Sequence, residues 1–105
     1  MNTIRSINNI PIRLTNERWL HIVENHNDMA GYYYEVLETV ENPKWIFEGD
    51  EGDIWAAKLI SERKAILVIY KESIEEKDGF IITAFLTTKV SKLLRRRILW
   101  QQQQQ

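Results

Sequence analysis

The spacing of apolar positions changes near residue 43. Before it, Trp19, Ile22, Val23 and His26 recur at i, i+3, i+4 and i+7, one face of a helix. Thr15 or Asn16 supplies the N-cap, and the helix should end near Asn27, before Gly31. Tyr33, Val36, Leu37 and Val40 repeat the pattern in a second helix, with Glu35, Glu38 and Glu41 on or beside its outer side. Asn42-Pro43 should stop it, because the residue before a proline avoids helical angles. Upstream, residues 1–9 carry no clear period, and Ile10–Leu14 reads as a short edge strand that tolerates Pro11.

After residue 43 the period becomes that of strands. Lys44–Glu48 is short and aromatic-rich, and Gly49-Asp50-Glu51-Gly52 is a turn signal. Asp53–Ile60, Ala65–Lys71 and Phe80–Thr87 follow as strands, separated by Ser61–Lys64 and by a charged loop closing on Asp78-Gly79. Strict alternation puts Phe80, Ile82, Ala84 and Leu86 on one face of the last strand, and Ile81, Thr83, Phe85 and Thr87 on the other. From Thr88 onward, Val90, Leu93, Leu94 and Ile98 suggest a third amphipathic helix. The expected fold is α+β: two N-terminal helices packed on an antiparallel sheet of about four strands, with a short C-terminal helix. Residues 1–100 form one domain in this reading, and Gln101–Gln105 form a frayed low-complexity tail.

Composition narrows the chemistry. A chain of 105 residues with four tryptophans suits one packed core. The absence of cysteine excludes disulfides, thiolate zinc sites, iron–sulfur clusters and thiol catalysis. No apolar run approaches the ~20 residues needed to span a bilayer. The opening MNTIRSINNIP lacks an apolar signal core, so a cytoplasmic protein without membrane partners is expected. The net charge of −1 hides a segregation. Acids dominate from Glu24 to Glu62, whereas Lys89, Lys92, Arg95, Arg96 and Arg97 form a run without any acid. That run is either a phosphate-attracting surface or a solvated helix face.

The two histidines, His21 and His26, are five residues apart, which sets them about 140° apart around a helix. A helical metal pair needs i, i+4, so no metal and no other cofactor is expected. Either histidine can act as acid or base near neutral pH; His26, which continues the apolar stripe, is also readable as a core-edge residue, and His21, away from its centre, as an ordinary surface residue. Thr83 is a hydroxyl among large apolar side chains, readable as a cleft residue or as an ordinary strand former. Tyr70 and Lys71 end a strand and point to opposite faces. Lys58 interrupts an apolar alternation, as a cation in a groove or as an edge lysine that deters aggregation. Phosphate-binding glycine loops and nucleophile elbows are absent.

The run Ile12-Arg13-Leu14-Thr15-x-Glu17-Arg18-Trp19-x-His21-Ile22, continuing to Asn25-His26, resembles the opening of a family of small phage and mobile-element nucleases. The likeness continues through Val36–Pro43 and Gly79-Phe80-Ile81-Ile82-Thr83-Ala84-Phe85, and covers about residues 10–100. The family belongs to the barnase–EndoU–colicin E5/D–RelE-like nuclease group, whose domains often occur as toxins. One departure stands out: the second histidine is often followed by a proline–acid pair, and here by Asn27-Asp28.

The resemblance implies a toxin-like endoribonuclease that cleaves RNA without metal by 2′-OH transesterification. His21 matches the family's helix histidine, His26 the second one and Thr83 the strand hydroxyl. Lys71 and Tyr70 correspond by strand position only. RNA is then the substrate, with Lys89, Lys92, Arg95, Arg96 and Arg97 tracking its backbone and Lys58 or Lys71 at the phosphate. An acidic antitoxin or immunity protein is the expected partner. The alternative is a non-catalytic interaction module, or a nucleic-acid-binding module, on the same fold.

Overall fold

The computed structural model describes residues 2–103. Its elements are strands β1 (Asn2–Arg5) and β2 (Pro11–Leu14), helices α1 (Asn16–Asn25) and α2 (Tyr33–Glu41), strands β3 (Trp45–Glu48), β4 (Ile54–Ser61), β5 (Lys64–Ser73) and β6 (Asp78–Thr87), the single-turn helix α3 (Val90–Leu93) and strand β7 (Ile98–Gln101). All seven strands join one sheet in the order β1-β2-β6-β5-β4-β3-β7. Among the described residues, the β2–β6 pair is parallel and the other five pairs are antiparallel.

The fold is therefore α+β, but two N-terminal helices on a four-stranded antiparallel sheet is incorrect. Two strands precede the helices, and the sheet is mixed. β1 was unreadable because three of its four residues are exposed and carry no apolar period. β2 is not an edge strand: it lies between β1 and β6, and Pro11 sits at its first residue, opposite Arg5, where a proline is tolerated. The expected C-terminal helix stops after one turn, and Ile98 belongs to β7 instead. β7 covers the outer edge of β3, which would otherwise leave the backbone of a buried Trp45-Ile46-Phe47 strand unpaired. The glutamine tail thus begins in ordered structure: Gln101 pairs with Trp45, and the Gln102 N–H donates to the Lys44 carbonyl at 2.9 Å. Gln104 and Gln105 lie outside the described residues.

The Thr15 hydroxyl caps α1, accepting from the Arg18 N–H at 3.1 Å. Ile22 is buried, and Trp19 meets Tyr33 of α2 edge-on, ring centroids 5.1 Å apart. α2 buries Val36, Leu37, Thr39 and Val40. Together the helices cover one sheet face, where Ile12, Leu14, Ile66, Val68, Tyr70, Ile81 and Ala84 form the main core. The opposite face carries a smaller cluster of Trp45, Phe47, Ala57, Leu67 and Leu93, flanked by the partly buried Trp55, Phe85 and Val90. α3 packs on it through Leu93 and Val90.

Strict alternation fails in β6. Ile69 pairs with Thr83 but Tyr70 pairs with Ile81, so Ile82 is an extra residue in a β-bulge. A one-residue slip exchanges faces. Ile81 therefore joins Ala84 in the core, while Phe80 joins Thr83 and Phe85 on the open face. Phe80 is 45% exposed.

Candidate functional site

The open face gathers polar groups around an aromatic floor. A cavity of 280 Å³ is lined by Trp55 of β4, Leu67 of β5, Phe85 and Thr87 of β6, and Lys89, Lys92, Leu93 and Arg96 around α3. Beyond Trp55 a second cavity is lined by Asp50, Glu51 and Asp53 from the β3–β4 turn, with Ile69, Lys71, Ile82 and Thr83.

The wall between them is braced. Arg96 lies over the Trp55 ring, 3.8 Å from its centroid, and donates through Nη2 to the Glu48 carbonyl at 3.0 Å and to Asp50 Oδ1 at 2.6 Å. On the same indole, Nε1–H donates to Asp53 Oδ2 at 2.7 Å. The Glu51 backbone N–H donates to the other oxygen of Asp53. That backbone bond first, with the indole bond assisting, holds the Asp53 carboxyl below its usual pKa against a smaller opposing effect of burial. Asp53 is thus a fixed acceptor, unsuited to carry a proton at neutral pH.

The sequence-derived candidates fall into separate places. Thr83 and Lys71 line the same cavity. His26 is the C-cap of α1, and its ring lies 5.5 Å from that of Phe85, tilted by 30°. His21 is exposed on α1, with Glu17 at 4.0 Å, and lines neither cavity. Tyr70 and Lys58 turn away from the open face. Tyr70 is fully buried in the core under the helices, where desolvation first and the Glu72 charge second push its phenol well above the ordinary value. Its Oη has no hydrogen-bond partner among the described residues. Lys58 shares a face with Ala56 and pairs with Glu38 of α2.

The basic run is not one helix face, because α3 ends at Leu93. Lys89 and Lys92 rim the first cavity and, with Arg95, have no carboxylate partner among the described residues. Arg96 is engaged as described, and Arg97 lies 3.9 Å from Glu48.

Sequence reasoning missed Trp55, Phe85 and Phe80 as surface groups, since aromatic residues in strands read first as core, and missed Asp53 because a carboxylate beside a turn reads as solvated. The signal was available for Trp55, which alternates with Asp53 and Ala57. Among the described residues, no group of three or more His, Asp or Glu is placed to hold a metal ion. No helix there is long and apolar enough to cross a membrane. No family model, no curated protein and no solved structure matches the chain.

Proposed function

We propose that this protein acts on single-stranded RNA with the open face of its sheet, as a metal-independent endoribonuclease. The observation that carries the reading is the 280 Å³ cavity, with an aromatic floor at Trp55 and Phe85 and with Lys89 and Lys92, which have no carboxylate partner among the described residues. Bases of any identity stack on aromatic rings while cations follow the phosphates, the usual means of holding a single strand. The resemblance of the opening and Thr-Ala-Phe motifs to the nuclease group supports the same reading.

In this reading the 2′-oxygen attacks the adjacent phosphorus as a base removes its proton. The P–O5′ bond breaks, and an acid protonates the departing 5′-oxygen. The products are a 2′,3′-cyclic phosphate and a 5′-hydroxyl end. His26 is assigned proton transfer because its ring reaches Phe85 at the margin of the open face. Lys71 and Thr83 meet the non-bridging oxygens, where charge builds in the transition state. His21 keeps only the support of the resemblance. An acidic partner masking Lys89 and Lys92 would fit a toxin.

Total RNA incubated with purified protein in EDTA tests this. Cleavage leaving cyclic phosphate ends, lost in Lys71→Ala, is the expected result. Cleavage that requires an added divalent ion would remove the mechanism. A second reading, RNA binding without cleavage, is favoured by one observation: neither histidine lines either cavity. RNA retained intact on the protein would select it.

A further inference from the structure

The two cavities are part of a longer path. A third, lined by Lys71, Arg13, Asp78 and Phe80 among others, shares Lys71 with the Thr83 cavity. A fourth, lined by Arg13, Thr15, Arg18, Phe80 and Ile81, shares Arg13 and Phe80 with the third. Trp55 joins the Thr83 cavity to the one under α3. Consecutive cavities thus share walls from the start of α1 to α3.

Each end sets a phenylalanine beside cations. At one, Phe85 is flanked by Lys89 and Lys92. At the other, the exposed Phe80 is flanked by Arg13 and Arg18. The bulge at Ile82 is what brings both phenylalanines to one face. They are about 15 Å apart along the strand at the usual rise per residue, more than one nucleotide spans. Several acids along the path are already engaged: Asp78 by Arg13, Asp50 by Arg96, and Glu72 by Ser6 and Asn8. Arg18 has no carboxylate partner among the described residues.

We infer that Phe80, Arg13 and Arg18 form a second nucleotide subsite, and that the open face holds a run of several successive nucleotides between this end and the Phe85–Lys92 end. The inference rests on the RNA reading above and deepens it. The Phe80 ring takes a base by stacking, and the Arg18 guanidinium takes a flanking phosphate, with Arg13, held by Asp78, beside it. Such a groove selects single strands, because a paired base cannot lie on an aromatic ring. It tolerates sequence, because stacking does not read base edges.

Binding of 2′-O-methyl oligonucleotides, which cannot undergo transesterification, tests the inference. Fluorescence anisotropy compares a dinucleotide with a decanucleotide across a salt series. The parent should bind the decanucleotide at least about ten-fold more tightly. Phe80→Ala should weaken decanucleotide binding about five- to ten-fold and leave the dinucleotide, held at the Phe85 end, nearly unchanged. Arg18→Gln should lower the slope of log affinity against log salt by about 0.7. Arg18→Glu, at an exposed helix position, should weaken it further and replaces Phe80→Ala if that variant does not fold. Parent-like decanucleotide binding in the Phe80 and Arg18 variants, with loss in Lys92→Gln, would overturn the second subsite and leave the RNA reading standing. No binding of either oligonucleotide by the parent would overturn both.

Discussion

Phe80 and Phe85 share one face of β6 although they are five positions apart, a spacing that puts residues of a regular strand on opposite faces. The extra residue at Ile82 makes this possible, and it divides the strand into two segments of opposite parity. Deleting Ile82 should restore regular pairing without moving either segment to a new face. Its stability cost should stay within roughly 1.5 kcal/mol, whereas deleting Ala84 breaks the register within the core and should cost about 3 kcal/mol or more. Urea denaturation of the two deletions is the check; equal costs would show that the bulge does not set the faces.

Tyr70 is buried with a hydroxyl that no described group satisfies. An unsatisfied buried hydroxyl destabilises, so Tyr70→Phe should be neutral or raise stability by about 1 kcal/mol. RNA cleavage, if present, should be unchanged. A clear loss of stability would mean that Oη has a partner, and a loss of cleavage alone would return Tyr70 to the catalytic set.

Arg96 joins the segment after α3 to the β3–β4 turn through Trp55, Asp50 and Glu48. Arg96→Ala removes the cation over the indole and its hydrogen bonds, and should cost about 1–3 kcal/mol. Lys92→Ala, on an exposed residue without a carboxylate partner among those described, should stay within about 0.5 kcal/mol. Thermal unfolding of both variants separates a structural arginine from a ligand-facing lysine. Equal effects would contradict the assignment.

These same residues show what a sequence can and cannot disclose. The spacing of Trp19, Ile22 and Val23 marks α1, and that of Val36, Leu37 and Val40 marks α2, because helical burial leaves a local period. β1 and β7 left no such mark: their own residues are mostly exposed, and their place depends on the partner strands Pro11–Leu14 and Trp45–Phe47, the latter distant in sequence. Thr83 and Lys71 were legible as polar residues in apolar strands. Lys58 fitted the same description, but its partner Glu38 lies on α2, across a contact no local pattern encodes. Phe80 was assigned to the wrong face because a bulge leaves no period of its own.

Asp53 gives the site a signature in pH. Its folded carboxyl is depressed by the Glu51 N–H and then the Trp55 indole, so the ionised form is the one the fold favours. That stabilisation is complete above the ordinary aspartate value of ~3.9 and is lost as pH falls through the lower folded value. The stability gap between the parent and Asp53→Asn should be flat above about pH 5 and should narrow below about pH 4. A gap that widens on acidification would reverse the sign of the shift.

In the proposed function the open face, not the helical face, meets RNA. Amide chemical-shift mapping with a 2′-O-methyl single strand tests it most directly. Shifts are expected at Arg18, Phe80, Lys71, Thr83, Phe85, Lys89 and Lys92, with α2 and the His21 side of α1 silent. Shifts centred on His21 and Glu17, or none at saturating oligonucleotide, would contradict it.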